Sequence, residues 1–176
     1  MASQTLTTRL RGHCLCGACS YTLDPSIPIK SDSFVQTFGN NFFSCYDRPS
    51  PPSRRIIGVD VQADCSQCRR ATASLATAYF IVPTESLVWS EGSEAHLKTY
   101  LSSDGDVERR FCGDCGTPLT FYNRLRAAKR TDCVDVTIAS LADEDLARLE
   151  ELGVAPTQTH CWWESGVEWY KRECET

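Results

Sequence analysis

A chain of 176 residues and 19.6 kDa has the size of one domain, and 41% hydrophobic against 23% charged residues supplies a core, which excludes wholesale disorder. The formal net charge of −5, from 18 basic and 23 acidic residues, has the wrong sign for a protein that neutralises phosphates, so no nucleic-acid partner is expected. The longest apolar stretch, 75–82, is broken by Thr77 and is far shorter than a membrane span, so no membrane partner is expected either.

In chain order, residues 1–11 are rich in Thr and Ser without periodicity and predict a flexible arm; residues 12–176 form the domain proper. No apolar segment follows the charges of residues 1–13, so no secretory leader is expected. Residues 25–55 hold Pro25, Pro28, Pro49, Pro51 and Pro52 and predict a long insertion with at most a short strand at 34–38, read either as a binding loop or as an exposed embellishment. Alternation of Ile57, Val59 and Val61 with polar residues predicts a strand leading to Cys65. Further strands are predicted at 74–82, 87–90, 96–102, 107–111, 119–123, 133–140, 160–164 and 167–171. Ser103-Asp104-Gly105-Asp106 has the chemistry of a hairpin turn. The one predicted helix, 143–152, opens on acidic residues and ends before Gly153. The fold class is therefore mainly β.

Eleven cysteines carry the chemistry. Cys112 and Cys115 straddle a tight turn closed by Gly116, and Cys14 and Cys16, followed by Gly17, fall on one side of an extended chain; both patterns suit a metal ion. Cys65 and Cys68 form a third pair. Spacing alone permits Cys112 and Cys115 to join either Cys65 and Cys68, as in a zinc ribbon, or Cys14 and Cys16. Thiols spaced for metal, with no leader expected, predict a reducing compartment: the cytoplasm, with the nucleus as alternative.

The run Gly12-x-Cys14-x-Cys16-Gly17-x-x-x-Tyr21, the segment Cys65-Ser66-x-Cys68-Arg69-Arg70, and Arg110-Phe111-Cys112-x-x-Cys115-Gly116-Thr117 closely resemble the glutathione-dependent formaldehyde-activating enzyme (GFA/CENP-V) family. The likeness extends to the strand pattern over 134–140 and to Pro156 and His160, covering about residues 12–170. It implies one domain of coiled antiparallel sheets, similar to the small Rab-GTPase exchange chaperones, with a structural zinc on Cys14, Cys16, Cys112 and Cys115. It also implies a second, catalytic site written C-H-C-x-x-C. Here Cys65 and Cys68 are its last two cysteines, but Ala63 stands where the first should be and Asp64 where His is common. A methyl group cannot ligate, so one structural zinc is expected and the second site is lost or altered, unless Asp64 or Cys45 enters it.

Around that site Arg69 and Arg70 are read either as groups that lower thiol pKa values and hold an anionic substrate or as surface charge. Arg109 and Arg110 are read as support for the thiolates around Cys112. His160, beside Trp162 and Trp163, is the candidate acid–base group, with a satisfied core histidine as the alternative. Cys19, Cys133, Cys161 and Cys174 are read as bystanders, and the basic run Arg124, Arg126, Lys129 and Arg130 as a solvated loop. The expected function is an enzyme diverged from the family, a carbon–sulfur lyase in reaction class, acting on a small electrophile or thiol adduct through Cys65, Cys68, Asp64, Arg69 and His160. The aromatic-rich insertion suits a substrate larger and more apolar than formaldehyde, in specialised metabolism. The competing reading is a noncatalytic, zinc-stabilised binding or chaperone module.

Overall fold

A computed structural model describes residues 9–24, 59–63, 65–129, 132–148, 160–161 and 166–170. The elements follow one another as β1 (Leu10–His13), β2 (Ser20–Leu23), β3 (Val59–Ala63), α1 (Ser66–Thr72), β4 (Thr77–Pro83), β5 (Leu87–Trp89), α2 (Ser93–His96), β6 (Leu97–Ser102), β7 (Val107–Cys112), β8 (Pro118–Asn123), α3 (Arg124–Lys129), β9 (Cys133–Thr137), α4 (Asp143–Ala147) and β10 (His160–Cys161). They make two sheets: a three-stranded one ordered β1-β2-β5 and a seven-stranded one ordered β10-β3-β4-β9-β8-β7-β6. All pairings are antiparallel except that of β10 with β3, which is parallel. The fold is mainly β, with few and short helices, as the strand patterns predict.

The centre of the large sheet is buried on both faces, and the residues of β4 and β9 show why. Phe80 faces Val136 and Val82 faces Val134 across the two strands. These four pack with Leu10, Tyr21 and Leu23 of the small sheet into the main core. On the opposite face Tyr79 pairs with Thr137 and Ile81 with Asp135, and all four are buried too. Hence TAYFIVP reads as an almost unbroken apolar run, the pattern of a strand covered on both sides.

Gly12 and Tyr21 sit opposite each other on β1 and β2. The Tyr21 ring lies where a side chain on Gly12 would be: a Cβ there would come 2.1 Å from Cζ of Tyr21. The ring is 1% exposed, meets Trp89 edge-on at 5.5 Å, and its hydroxyl bonds Ser140 Oγ at 2.7 Å. The spacing from Gly12 to Tyr21 is thus a packing requirement of the small sheet.

Several expectations are corrected. Leu10 and Arg11, placed in the arm, begin β1; Leu10 is fully buried. The strand expected from residue 74 starts at Thr77, because Ala73 takes a left-handed conformation (φ 52°) that ends α1. His96 closes α2 instead of opening a strand, and the basic run from Arg124 is helical to Lys129. Over 138–140 the strand gives way to a 3-10 turn. Residues 168–170 of the strand expected at 167–171 are helical. The helix 143–152 is described as α4 over Asp143–Ala147; Gly153, the 25–55 insertion and its 34–38 strand lie outside the described residues. The hairpin turn stands as predicted, with Asp104 at φ 57° and Gly105 at φ 92° between β6 and β7. No helix among the described residues is long and apolar enough to cross a membrane.

Candidate functional site

The chain leaves β1 at His13 directly into Cys14, and β7 ends at Cys112, so the two sheets meet at their thiols. Each cysteine pair lies on a tight turn. Cys14 O accepts from Gly17 N–H at 3.1 Å and Cys112 O from Gly116 N–H at 2.9 Å. Both glycines are left-handed, at φ 80° and 76°, a conformation that a side chain would strain. The Thr117 hydroxyl joins the turns, accepting from Leu15 N–H at 3.0 Å and lying 3.2 Å from Cys115 Sγ.

The sulfurs of Cys14, Cys16, Cys112 and Cys115 all lie within 4.8 Å of one another, so the cluster could hold a metal ion. Cys14 and Cys16 are 3.5 Å apart and Cys16 and Cys112 3.7 Å. Tetrahedral zinc with Zn–S near 2.3 Å would place its sulfurs roughly 3.8 Å apart, so these residues fit zinc. The electrostatics agree. The Thr117 hydroxyl, then the Thr117 and Cys16 N–H groups, hold the Cys115 thiol down at about 5. The Ala18 N–H favours a Cys16 thiolate, yet its neighbours Cys14 and Cys115 outweigh it and push Cys16 up to about 12. Four adjacent thiols cannot all ionise unless a cation offsets their repulsion. Buried Cys19 supplies no sulfur to the set, but its N–H donates to Cys14 Sγ at 3.2 Å.

The third cysteine pair lies on the other face of the large sheet. Cys65 is the N-cap of α1, with extended backbone (φ −67°, ψ 154°), and its sulfur accepts from Cys68 N–H at 3.4 Å. Cys68, one turn on, is buried against Tyr79, with Cys65 and Phe121 alongside. The neighbouring Cys68 thiol is the largest influence on Cys65 and lowers it to about 6. Burial opposes this; the Cys68 and Gln67 N–H groups and the Arg109 charge support it. The Cys65 thiolate and burial in turn push Cys68 far up. Cys65 is thus the thiol favoured for ionisation and Cys68 the one disfavoured.

Arg109 is the cation of this site. It is 8% exposed, stacks 5.0 Å above the Phe121 ring, and donates from Nη2 to Cys68 Sγ at 3.7 Å and from Nε to Ser102 Oγ at 3.2 Å. This overturns the expectation that Arg109 and Arg110 support the Cys112 thiolates, since Arg110 pairs with Glu108 at 3.5 Å. The buried, exposed alternation of β7, with Val107 and Arg109 inward, was the signal available in the sequence. Ser103 Oγ donates to Gln67 Oε1 at 2.9 Å and ties α1 to the β6–β7 hairpin.

Of the other predicted site residues, Arg69 has a buried Nε with no hydrogen-bond partner among the described residues. Asp64 and Cys45 lie outside the described residues. His160 is placed on β10 beside Gln62, and its neighbour Cys161 is in register with Ala63. Among the described residues the four-thiol cluster is the one group of three or more ligands, and Cys65 and Cys68 alone are too few to fit a second tight zinc.

The sequence profile of the glutathione-dependent formaldehyde-activating enzyme family matches residues 58–165, more than half of the chain, and the protein belongs to that family. The match spans Ala63, Cys65, Cys68, Cys112 and Cys115 and begins after Cys14 and Cys16, which the geometry ties to the set. A crystal structure of a Rhodobacter sphaeroides protein, a structural genomics target, is similar at 19% identity, covering 78% of this chain and 94% of that one with a TM-score of 0.47. No curated protein matches the sequence.

Proposed function

We propose that this protein is a diverged enzyme of the formaldehyde-activating family that makes and breaks carbon–sulfur bonds on a small electrophile or its thiol adduct, at Cys65. The observation that carries the reading is the Cys65–Cys68–Arg109 arrangement: a half-buried thiol lowered to about 6, beside a buried one on which a guanidinium rests. Cys14, Cys16, Cys112 and Cys115 would hold a zinc as four thiolate ligands, a set that would join the two sheets and supply no catalytic chemistry.

At the reactive pair, the Cys65 sulfur adds its electron pair to an electrophilic carbon such as a carbonyl. The oxygen that takes up the displaced electrons receives the proton of Cys68, and Arg109 stabilises the Cys68 thiolate left behind. The reverse path expels the thiol. Tyr79 and Phe121 give the reactive pair an apolar flank. Asp64, Arg69 and His160 belong to the proposal as residues around the substrate, in the cytoplasm or nucleus.

The test is turnover of small aldehydes and glutathione adducts by the zinc-loaded protein. Cys65→Ala and Cys68→Ala should keep the zinc and lose activity. Full activity in both would move the chemistry elsewhere. An unreactive Cys65 with an intact zinc cluster would favour the noncatalytic module, which loss of the ligand at Ala63 supports.

A further inference from the structure

We propose that Cys65 and Cys68 form a dithiol–disulfide couple that exchanges with low-molecular-weight disulfides. The inference rests on the reading above that these two thiols hold no resident metal.

Four observations place attacking and resolving thiols here. Cys65 is half-buried and therefore reachable, whereas Cys68 is 5% exposed, so an incoming disulfide meets Cys65 first. The Cys65 sulfur accepts the Cys68 N–H at 3.4 Å, which fixes it over the first turn of α1, against the residue that carries the second thiol. Arg109, itself 8% exposed, donates to Cys68 Sγ and stabilises the thiolate that the resolving step requires. Tyr79 and Phe121 close the apolar side, where a disulfide's sulfurs are readily desolvated.

The steps balance. The Cys65 thiolate attacks one sulfur of R–S–S–R; that bond breaks, a Cys65–S–S–R bond forms, and the departing RS⁻ takes the proton of Cys68. The Cys68 thiolate, held by Arg109, attacks the Cys65 sulfur and expels the second RS⁻, which is protonated by solvent. The low-molecular-weight disulfide is reduced to two thiols, and Cys65 and Cys68 are oxidised to a disulfide. Excess thiol reverses both steps. Cys14, Cys16, Cys112 and Cys115 would stand apart from this exchange once they hold an ion.

The experiment treats zinc-loaded protein with glutathione disulfide at pH 7 and maps the products by mass spectrometry, with metal content followed in the same samples. The expected result is a Cys65–Cys68 disulfide with zinc retained, a glutathionyl adduct on Cys65 that accumulates in Cys68→Ser, and neither product in Cys65→Ser. The wild-type map stands alone should either variant fold poorly. A glutathionyl adduct on Cys65 that Cys68 never resolves overturns the inference. So does a second metal that blocks both thiols, which would point to Cys161, in register with Ala63, as a replacement ligand. Disulfide formation without turnover of any carbon electrophile overturns the proposed function alone; turnover without disulfide formation overturns this inference alone.

Discussion

Replacing Gly12 with Ala should destabilise the protein far more than a surface alanine does. The new Cβ would lie 2.1 Å from Tyr21 Cζ and 2.2 Å from its hydroxyl oxygen, where ordinary contact begins near 3.4 Å, so the ring must retreat by more than an ångström. It has nowhere to go. Tyr21 is 1% exposed, rests on Trp89, and holds Ser140, whose hydroxyl donates to Thr137 O at 2.7 Å. Overpacking of a core costs about 1–3 kcal/mol, and parting the buried Tyr21–Ser140 hydroxyls adds about 1–3 kcal/mol, so a loss of about 3 kcal/mol is expected. Denaturant unfolding of the zinc-loaded protein measures it. A double-mutant cycle isolates the cause: in a Tyr21→Ala background the same substitution should cost less than about 0.5 kcal/mol. A Gly12→Ala protein as stable as the parent, or an equal cost without the ring, would refute the packing argument.

Three further outcomes follow from the geometry. At pH 6 about half of Cys65 should be thiolate, against roughly 0.3% of an ordinary thiol of pKa near 8.5; weaker nucleophilicity reduces that advantage, leaving alkylation about tenfold faster, with a midpoint that rises in Arg109→Gln. An alkylation midpoint near 8.5 in the parent would contradict it. Asp145, 2% exposed, accepts from Arg11 N–H at 2.9 Å, Arg11 Nε at 3.1 Å and Arg148 Nη1 at 2.9 Å; burial raises its pKa, and these bonds outweigh burial and hold it below the ordinary carboxylate range. A depressed folded pKa gives stability that is present above the unfolded value and lost as pH falls through the folded one, so Asp145→Asn should lower stability at pH 7 by about 2 kcal/mol and flatten its acid limb; an unchanged pH–stability curve would count against this. Cys112→Ser should yield protein that is unfolded or insoluble, since a structural zinc contributes on the order of 10 kcal/mol, and a soluble, native-like, metal-free variant would sink that claim.

The sequence disclosed what depends on local chemistry. Gly17 and Gly116 are readable because only a left-handed residue closes those turns, and the hairpin at Asp104 and Gly105 is readable for the same reason. The small sheet was hidden because Leu10–His13 spells LRGH: its buried, exposed alternation places Gly12, with no side chain, inward, and the ring that fills the gap belongs to Tyr21. The helix α1 was hidden by its length, seven residues being too few to show a helical period. Its cap is Cys65 itself, which the sequence presents as a catalytic thiol and not as a helix start. Arg109 was assigned to Cys112 by nearness in sequence, whereas strand alternation carries it to the far face and to Cys68. Tertiary register likewise places Cys161 beside Ala63, a relation that spans nearly a hundred residues and leaves no local trace.

The account rests on a division between four thiols committed to an ion and two left reactive, and native mass spectrometry before and after limited alkylation at pH 6 tests it most directly. One zinc per chain is predicted, retained after alkylation of Cys65. Two zinc ions, or release of the only ion when Cys65 is alkylated, would contradict it.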